Sequence, residues 1–193
     1  MKRTLPLRLA VTFLLAAIPS ARAHAQGGGD VARGKYLVTV SGCNDCHTPW
    51  KLGPNGPEQD LSRMLSGHPE QLAMPAVPAL PDGPWAVVAA ATFTAWSGPW
   101  GVSFASNLTP DAETGLGKWT EKDFVDTMRS GRHLGRGRAI LPPMPIQNIA
   151  VMTDADLRAV FAYLRSVPAI KNRVPEPRPP VMATKGSAPS PTR

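Results

Sequence analysis

The chain contains only two cysteines, Cys43 and Cys46. A zinc site usually draws on two separated ligand pairs, so a single pair leaves half of one missing. His24, His68 and His133 form no H-x-H or H-x-x-x-H set that would supply the other half. No βαβ pattern surrounds the pair, which removes the setting of a thioredoxin-like dithiol. A disulfide across two intervening residues would close a tight, strained loop. The sequence also lacks a basic helix with interleaved aromatics. Its formal charge of +7 falls to +3 once the four positive charges of the leader, Lys2, Arg3, Arg8 and Arg22, are removed. That is too weak a balance to argue for nucleic acid. There is no internal repeat.

What is present begins with the leader. Lys2 and Arg3 open a positive segment, and Leu9 to Ile18 is an apolar run too short to span a bilayer. Pro19 and Ser20 then break any helix ahead of Ala23-His24-Ala25, an A-x-A cleavage site. This is the anatomy of a secretory signal peptide over residues 1–25, and it predicts a periplasmic chain. Cleavage after Ala23 is the alternative. No cysteine follows the apolar run closely enough to carry a lipid, and the mature chain is expected to have no transmembrane segment. About 168 residues remain, enough for one domain with one core.

The cysteine pair continues into a histidine as Cys43-Asn44-Asp45-Cys46-His47. C-x-x-C-H is the attachment run of c-type haem. Two thiols three positions apart reach the two vinyl groups along one porphyrin edge, and the adjacent histidine offers a nitrogen to the iron. An exported compartment favours disulfides, so a lone pair is best explained if haem c occupies it.

The 22 prolines and 17 glycines predict much irregular backbone around a few helices. Gln26 to Gly29 reads as a flexible leader and Asp30 as the cap of a helix to about Val40, with Val31, Tyr36, Leu37 and Val40 supplying apolar contacts. Gly42 ends that helix. From Thr48 to about Lys118, Pro49, Pro54, Pro57, Pro69, Pro75, Pro78, Pro81 and Pro84 interrupt any long element. Within this stretch, Thr92 to Trp96 and Val102 to Phe104 alternate around a Gly/Pro turn and suggest a short β-hairpin. Thr120 caps a second helix buried through Phe124, Val125 and Met128, and Gly131 ends it. Thr153 caps a third, with Leu157, Val160, Phe161 and Leu164 on one face; Pro168 stops it. Residues 176–193 are proline-rich and polar, and are expected to be disordered.

An iron with one histidine ligand has a sixth position to fill. The candidates are Met64, His68, Met74, Met128, His133, Met144, Met152 and Met182. Met144 stands out because Leu141-Pro142-Pro143-Met144-Pro145 restricts its backbone to a rigid loop, suited to holding a weak thioether ligand. Met128 sits on a helix stripe and reads as core. His68 and His133 lie in loops, where histidine is commonly solvated, yet either would make a bis-histidine haem.

A helix, C-x-x-C-H, a later methionine loop and a terminal helix follow the order of class I c-type cytochromes. The chain resembles most the bacterial haem domains found in cytochrome subunits of alcohol and aldehyde dehydrogenases. Carrying the resemblance are Arg33 to Leu37, Cys43 to His47, Asn107 to Asp111, Gly115 to Thr120, Pro142 to Pro145, Met152 to Leu157 and Ala162 to Arg165. It covers roughly residues 30–175, within a cytochrome domain of 26–175. It implies an all-α cytochrome c fold around one covalently bound haem c, with the first and last helices crossing near Gly34 and Leu164. His47 would be the proximal ligand and Met144 the distal one, and Trp119 and Asn107 would be haem-pocket residues. The segment from Leu52 to Ser106 is longer than minimal members carry, and would cover a haem face or dock a partner. The function implied is one-electron transfer between redox proteins, a dehydrogenase or quinol-oxidising complex on one side and an oxidase or another cytochrome on the other. No catalytic residue is implied. A haem enzyme, or a sensor of gas or peroxide with a displaceable distal ligand, is the rival. Arg129, Arg132, Arg136 and Arg138 precede the methionine loop and could steer an acidic partner, neutralise haem propionates or simply be solvated.

Overall fold

The last helix organises the core. In the computed structural model, which describes residues 25–77 and 84–180, α5 spans Asp154–Ser166. The Thr153 side chain accepts from the Asp156 amide and caps it, and Asp154 and Asp156 sit where the helix dipole favours negative charge. Its expected face is buried: Leu157, Val160, Phe161 and Leu164 all enter the core, each burial stabilising by about 1.5–3 kcal/mol.

Helix α1, Ala25–Val40, crosses α5. Gly34 makes the approach possible, because a Cβ there would stand 1.9 Å from the Ala159 carbonyl oxygen and 2.8 Å from Tyr163 Cβ. The crossing is thus centred about a turn before Leu164. Two details of α1 differ from expectation. It extends through Gln26 to Gly29, the stretch expected to be a flexible leader. Leu37 and Val38 are its buried residues, whereas Tyr36 and Val40 are exposed, because the crossing at Gly34 sets which face turns inward. Helix α3, Glu121–Ser130, follows a reciprocal capping box between Thr120 and Asp123 and stops at Gly131, whose φ of 64° is left-handed. Phe124 and Met128 pack into the same core. Among the described residues two five-residue helices complete the set, α2 at Cys43–His47 and α4 at Ile146–Ala150.

The fold is not all-α. Between α2 and α3 the chain forms two small antiparallel sheets. Strands β1 (Trp50–Gly53) and β2 (Gly56–Gln59) make an unforeseen hairpin. Strands β3 (Val88–Ala89), β4 (Ala95–Gly98) and β5 (Gly101–Phe104) make a three-stranded sheet. The anticipated hairpin is there with its first strand displaced toward the turn, Gly98 facing Gly101. Frequent prolines deny this region the amides that helices need, so its backbone groups pair between strands instead. All four residues of β5 are buried. One edge pairs with β4; on the other, Val102 and Arg178 exchange both main-chain hydrogen bonds at 2.9 Å. The segment expected to begin a disordered tail is therefore tied down as far as Arg178; residues 181–193, with Met182, lie outside the described residues. So does the signal-peptide segment up to His24. Among the described residues no helix is long and apolar enough to cross a membrane.

Candidate functional site

Gly42 turns the chain from α1 into α2 with φ 66° and ψ 26°, a left-handed conformation that glycine adopts without steric cost. The helix carries Cys43 and Cys46 a turn apart, both as free thiols. Cys43 packs on the main core, and burial pushes its thiol up to about 11. Burial, then the Asp45 charge, also raises Cys46. Redox-active dithiols work through a depressed thiol; these two are held protonated.

His47, the next residue, is buried, and its Nδ1 lies 2.7 Å from the Ser106 carbonyl oxygen. A carbonyl only accepts, so Nδ1 carries the hydrogen and Nε2 keeps its lone pair. Among the described residues Nε2 has no hydrogen-bond partner. Burial lowers the imidazole's affinity for protons, against the opposing pull of the Ser106 carbonyl. The result is a neutral ring with one oriented nitrogen available to a metal.

Two loops clamp α2. The Gly67 amide donates to the His47 carbonyl at 2.8 Å, and the Leu65 amide to Thr48 Oγ1 at 2.9 Å. Thr48 Oγ1 in turn donates to Asn44 Oδ1. The loops are joined by Leu108 N to the Leu65 carbonyl and His68 N to the Ala105 carbonyl, both at 2.9 Å. Beneath them lies a polar hub that sequence reading missed. Asn172 is fully buried, accepts from Arg63 Nη2 and the Glu70 amide, and donates to the Ser66 and His68 carbonyls. Nothing in the local sequence distinguishes it from a solvated asparagine after the last helix.

Met144 is half-buried against the same core that receives Cys43. Its carbonyl accepts from the Ile146 amide at 2.8 Å, and Pro145 precedes α4. Met64 and Met152 also border this core, Met128 is buried inside it, and Met74 belongs to the separate cluster under β5.

The histidine rivals are placed differently. His68 is fully buried rather than solvated, with Nδ1 2.9 Å from Thr94 Oγ1 and Nε2 3.0 Å from the Leu72 carbonyl. Both nitrogens are engaged, so it is a structural residue. His133 is exposed and lies edge-on to Trp119, ring centroids 5.1 Å apart. Asn107 is another buried hub: its Nδ2 donates to Thr114 Oγ1 and the Ile170 carbonyl, and its Oδ1 accepts from Thr109.

The four arginines are largely spent on local contacts. Arg129 reaches the Ala150 carbonyl and Asp154, Arg132 the Gly137 carbonyl, Arg136 the Leu134 carbonyl, and Arg138 pairs with Glu176 at 3.6 Å.

No protein-family model matches the chain. Curated proteins do. The cytochrome c subunit of a quinone-dependent alcohol dehydrogenase from Gluconobacter oxydans is 26% identical over 174 residues, covering 88% of this chain and 29% of that protein. The gluconate 2-dehydrogenase cytochrome c subunit of Pantoea cypripedii is 27% identical over 133 residues, 69% of this chain and 22% of that protein. The fructose dehydrogenase cytochrome subunit of Gluconobacter japonicus is 28% identical over 145 residues, 72% of this chain and 22% of that protein. The chain therefore spans less than a third of the length of these relatives. It resembles the c-type cytochrome subunits of bacterial dehydrogenases.

Proposed function

We propose that this chain is an exported one-electron carrier that holds one haem c through Cys43 and Cys46, with His47 and Met144 as the axial ligands. It would accept electrons from a dehydrogenase or quinol-oxidising complex and pass them to an oxidase or another cytochrome. The observation that carries the reading is the His47 ring, buried and turned by the Ser106 carbonyl so that Nδ1 is engaged and Nε2 keeps a free lone pair. Likeness to dehydrogenase cytochrome subunits supports an electron-transfer cytochrome, and a dehydrogenase is accordingly the partner of first choice. A signal peptide over residues 1–25 would deliver the chain to the periplasm.

The residues suit the group. Cys43 and Cys46 are free thiols three positions apart on one helical turn, the spacing that would reach both vinyl groups of one porphyrin edge, and the same short helix carries His47. When bound, haem supplies a reversible Fe(III)/Fe(II) couple. The protein's part is to set that couple's environment. His47 is held in one tautomer by a main-chain acceptor, which raises its basicity as a ligand. The Met144 thioether favours the reduced iron, and so does apolar burial, since it disfavours the extra positive charge of the oxidised centre. If His47 and Met144 both hold the group, no position on it would be left for a substrate.

Expression with haem-maturation machinery followed by a pyridine haemochrome assay tests attachment; a colourless chain with titratable thiols would end the reading. Met144→Ala should abolish the sulfur-to-iron(III) charge-transfer band, and Met64→Ala should leave it. The opposite pattern would reassign the ligand to Met64. Carbon monoxide binding to the reduced native protein would favour the enzyme or sensor alternative.

A further inference from the structure

We propose that the three-stranded sheet in the 52–106 segment is a brace for the methionine loop, acting through a relay from Trp100 to Ser103 to the Pro142 carbonyl. The inference rests on the reading of Met144 as the distal ligand, and it assigns Ser103 as a positioning residue.

The loop has few ways of being held. Pro142, Pro143 and Pro145 have no amide hydrogens, and the side chains of all three are exposed. At its C-terminal end the carbonyls of Met144 and Pro145 accept from the start of α4. Before it, the Ile140 amide donates to the Gly131 carbonyl at 2.8 Å. Between these anchors, the Pro142 carbonyl accepts from Ser103 Oγ at 2.5 Å. Among the described residues this is the one side-chain hydrogen bond that reaches the loop.

The donor is aimed. Trp100 Nε1 donates to Ser103 Oγ at 3.2 Å and occupies a lone pair, so the hydroxyl hydrogen is left for an acceptor. The competing acceptor, the Trp96 carbonyl, lies at 3.5 Å, a full ångström farther than Pro142. Trp100 itself folds over Gly98, where a Cβ would meet its ring at 2.5 Å. Ser103 is only 7% exposed, and its strand β5 is paired on both edges. A buried hydroxyl on a doubly paired strand is a rigid point from which to hold a loop.

The strand also reaches the other side of the site. Three residues beyond Ser103, the Ser106 carbonyl receives the His47 Nδ1–H. One stretch of backbone, 103–106, thus touches the supports of both proposed axial ligands.

The test uses the full haem-loaded protein and its Ser103→Ala, Ser103→Thr and Trp100→Phe variants. Two quantities are read in the ferric form: the affinity for added imidazole and the pH at which the sulfur-to-iron(III) band is lost. Imidazole binds only when Met144 has left, so its apparent affinity scales with the open fraction of the loop. Removing the hydroxyl leaves the Pro142 carbonyl without its donor, which should raise that affinity about tenfold and lower the pH midpoint by about one unit. Ser103→Thr keeps a hydroxyl and should stay within about twofold of wild type, while Trp100→Phe, which loses only the orienting donor, should rise about threefold. If the wild type shows the band and Ser103→Ala matches it in both readouts, the brace is overturned while the Met144 assignment stands. If the wild type lacks the band, that assignment fails and the brace with it. Should Ser103→Ala not mature, an unchanged Trp100→Phe overturns the proposal.

Discussion

Asn172→Ala would cut the network that holds the 63–70 loop, and its cost can be worked from four contacts. Oδ1 accepts from Arg63 Nη2 and from the Glu70 amide, each at 2.9 Å; Nδ2 donates to the Ser66 carbonyl at 2.7 Å and the His68 carbonyl at 2.9 Å. Neutral buried hydrogen bonds are worth about 1 kcal/mol each and a charge-assisted one about 1.5–3 kcal/mol, so the four sum to an upper bound of about 4–6 kcal/mol. Water entering the space of the lost amide would recover part of that, leaving an expected destabilisation of about 3 kcal/mol. In a domain of this size that lowers the melting temperature by about 6–12 °C. The loop also carries the Gly67 amide that holds the His47 carbonyl, so the loss should be accompanied by a weaker grip on the haem motif. Asn172→Asp should be at least as damaging, because its second oxygen would face two carbonyls that need a donor. Reversible urea unfolding of the haem-loaded protein, with an unchanged denaturant slope, is the measurement. A value within about 0.5 kcal/mol of wild type for both variants would refute the reasoning.

Gly34→Ala places a methyl inside the Ala159 carbonyl and should force α1 and α5 apart, destabilising the domain by about 3 kcal/mol in thermal or urea unfolding. Thr120→Ala removes one half of the capping box on α3 and should cost about 1 kcal/mol in the same assay. Cys46→Ser should leave a single thioether through Cys43, so that the haem resists acid extraction while its pyridine haemochrome band moves to longer wavelength; complete loss of haem to acid would contradict attachment at Cys43. Burial holds His68 below the ordinary imidazole value, and the Arg178 and Arg63 charges act in the same direction. Its folded value lies beneath its unfolded one, so its contribution to stability is complete above about pH 6.5 and is lost as pH falls from there toward the folded value. His68→Gln should therefore flatten the fall in urea midpoint between about pH 7 and 5, and an unaltered slope would discard this account.

Local pattern carried far in the helices. Thr120 and Thr153 precede acidic first turns, and Gly131 follows the last apolar residue of α3; these are interactions among near neighbours, so a capped helix is legible wherever they occur. The C-x-x-C-H run is legible for the same reason, since its chemistry needs neighbouring residues. Reading failed where the outcome depended on distant chain. The all-α expectation came from the family resemblance and allowed the proline-rich segment one short hairpin, but that segment forms two sheets, and β5 gains its second edge from Arg178, far along the sequence. Tyr36 and Val40 looked like core because their spacing is helical; Gly34 against Ala159 decided which face of α1 turned inward.

At the site the division is equally physical. Cys43, Cys46 and His47 declare themselves through adjacency, and three prolines mark the Met144 loop as stiff. The orientation of the His47 ring, the burial of His68 and the supports given by Ser103, Ser106 and Asn172 could not be read in the same way. Each depends on a hydrogen bond between residues separated by at least 26 positions, and no local pattern of residue types specifies such a partner. Short-range chemistry names the candidate ligands and the caps; the closing of loops against one another determines which lone pair is left over and where it points.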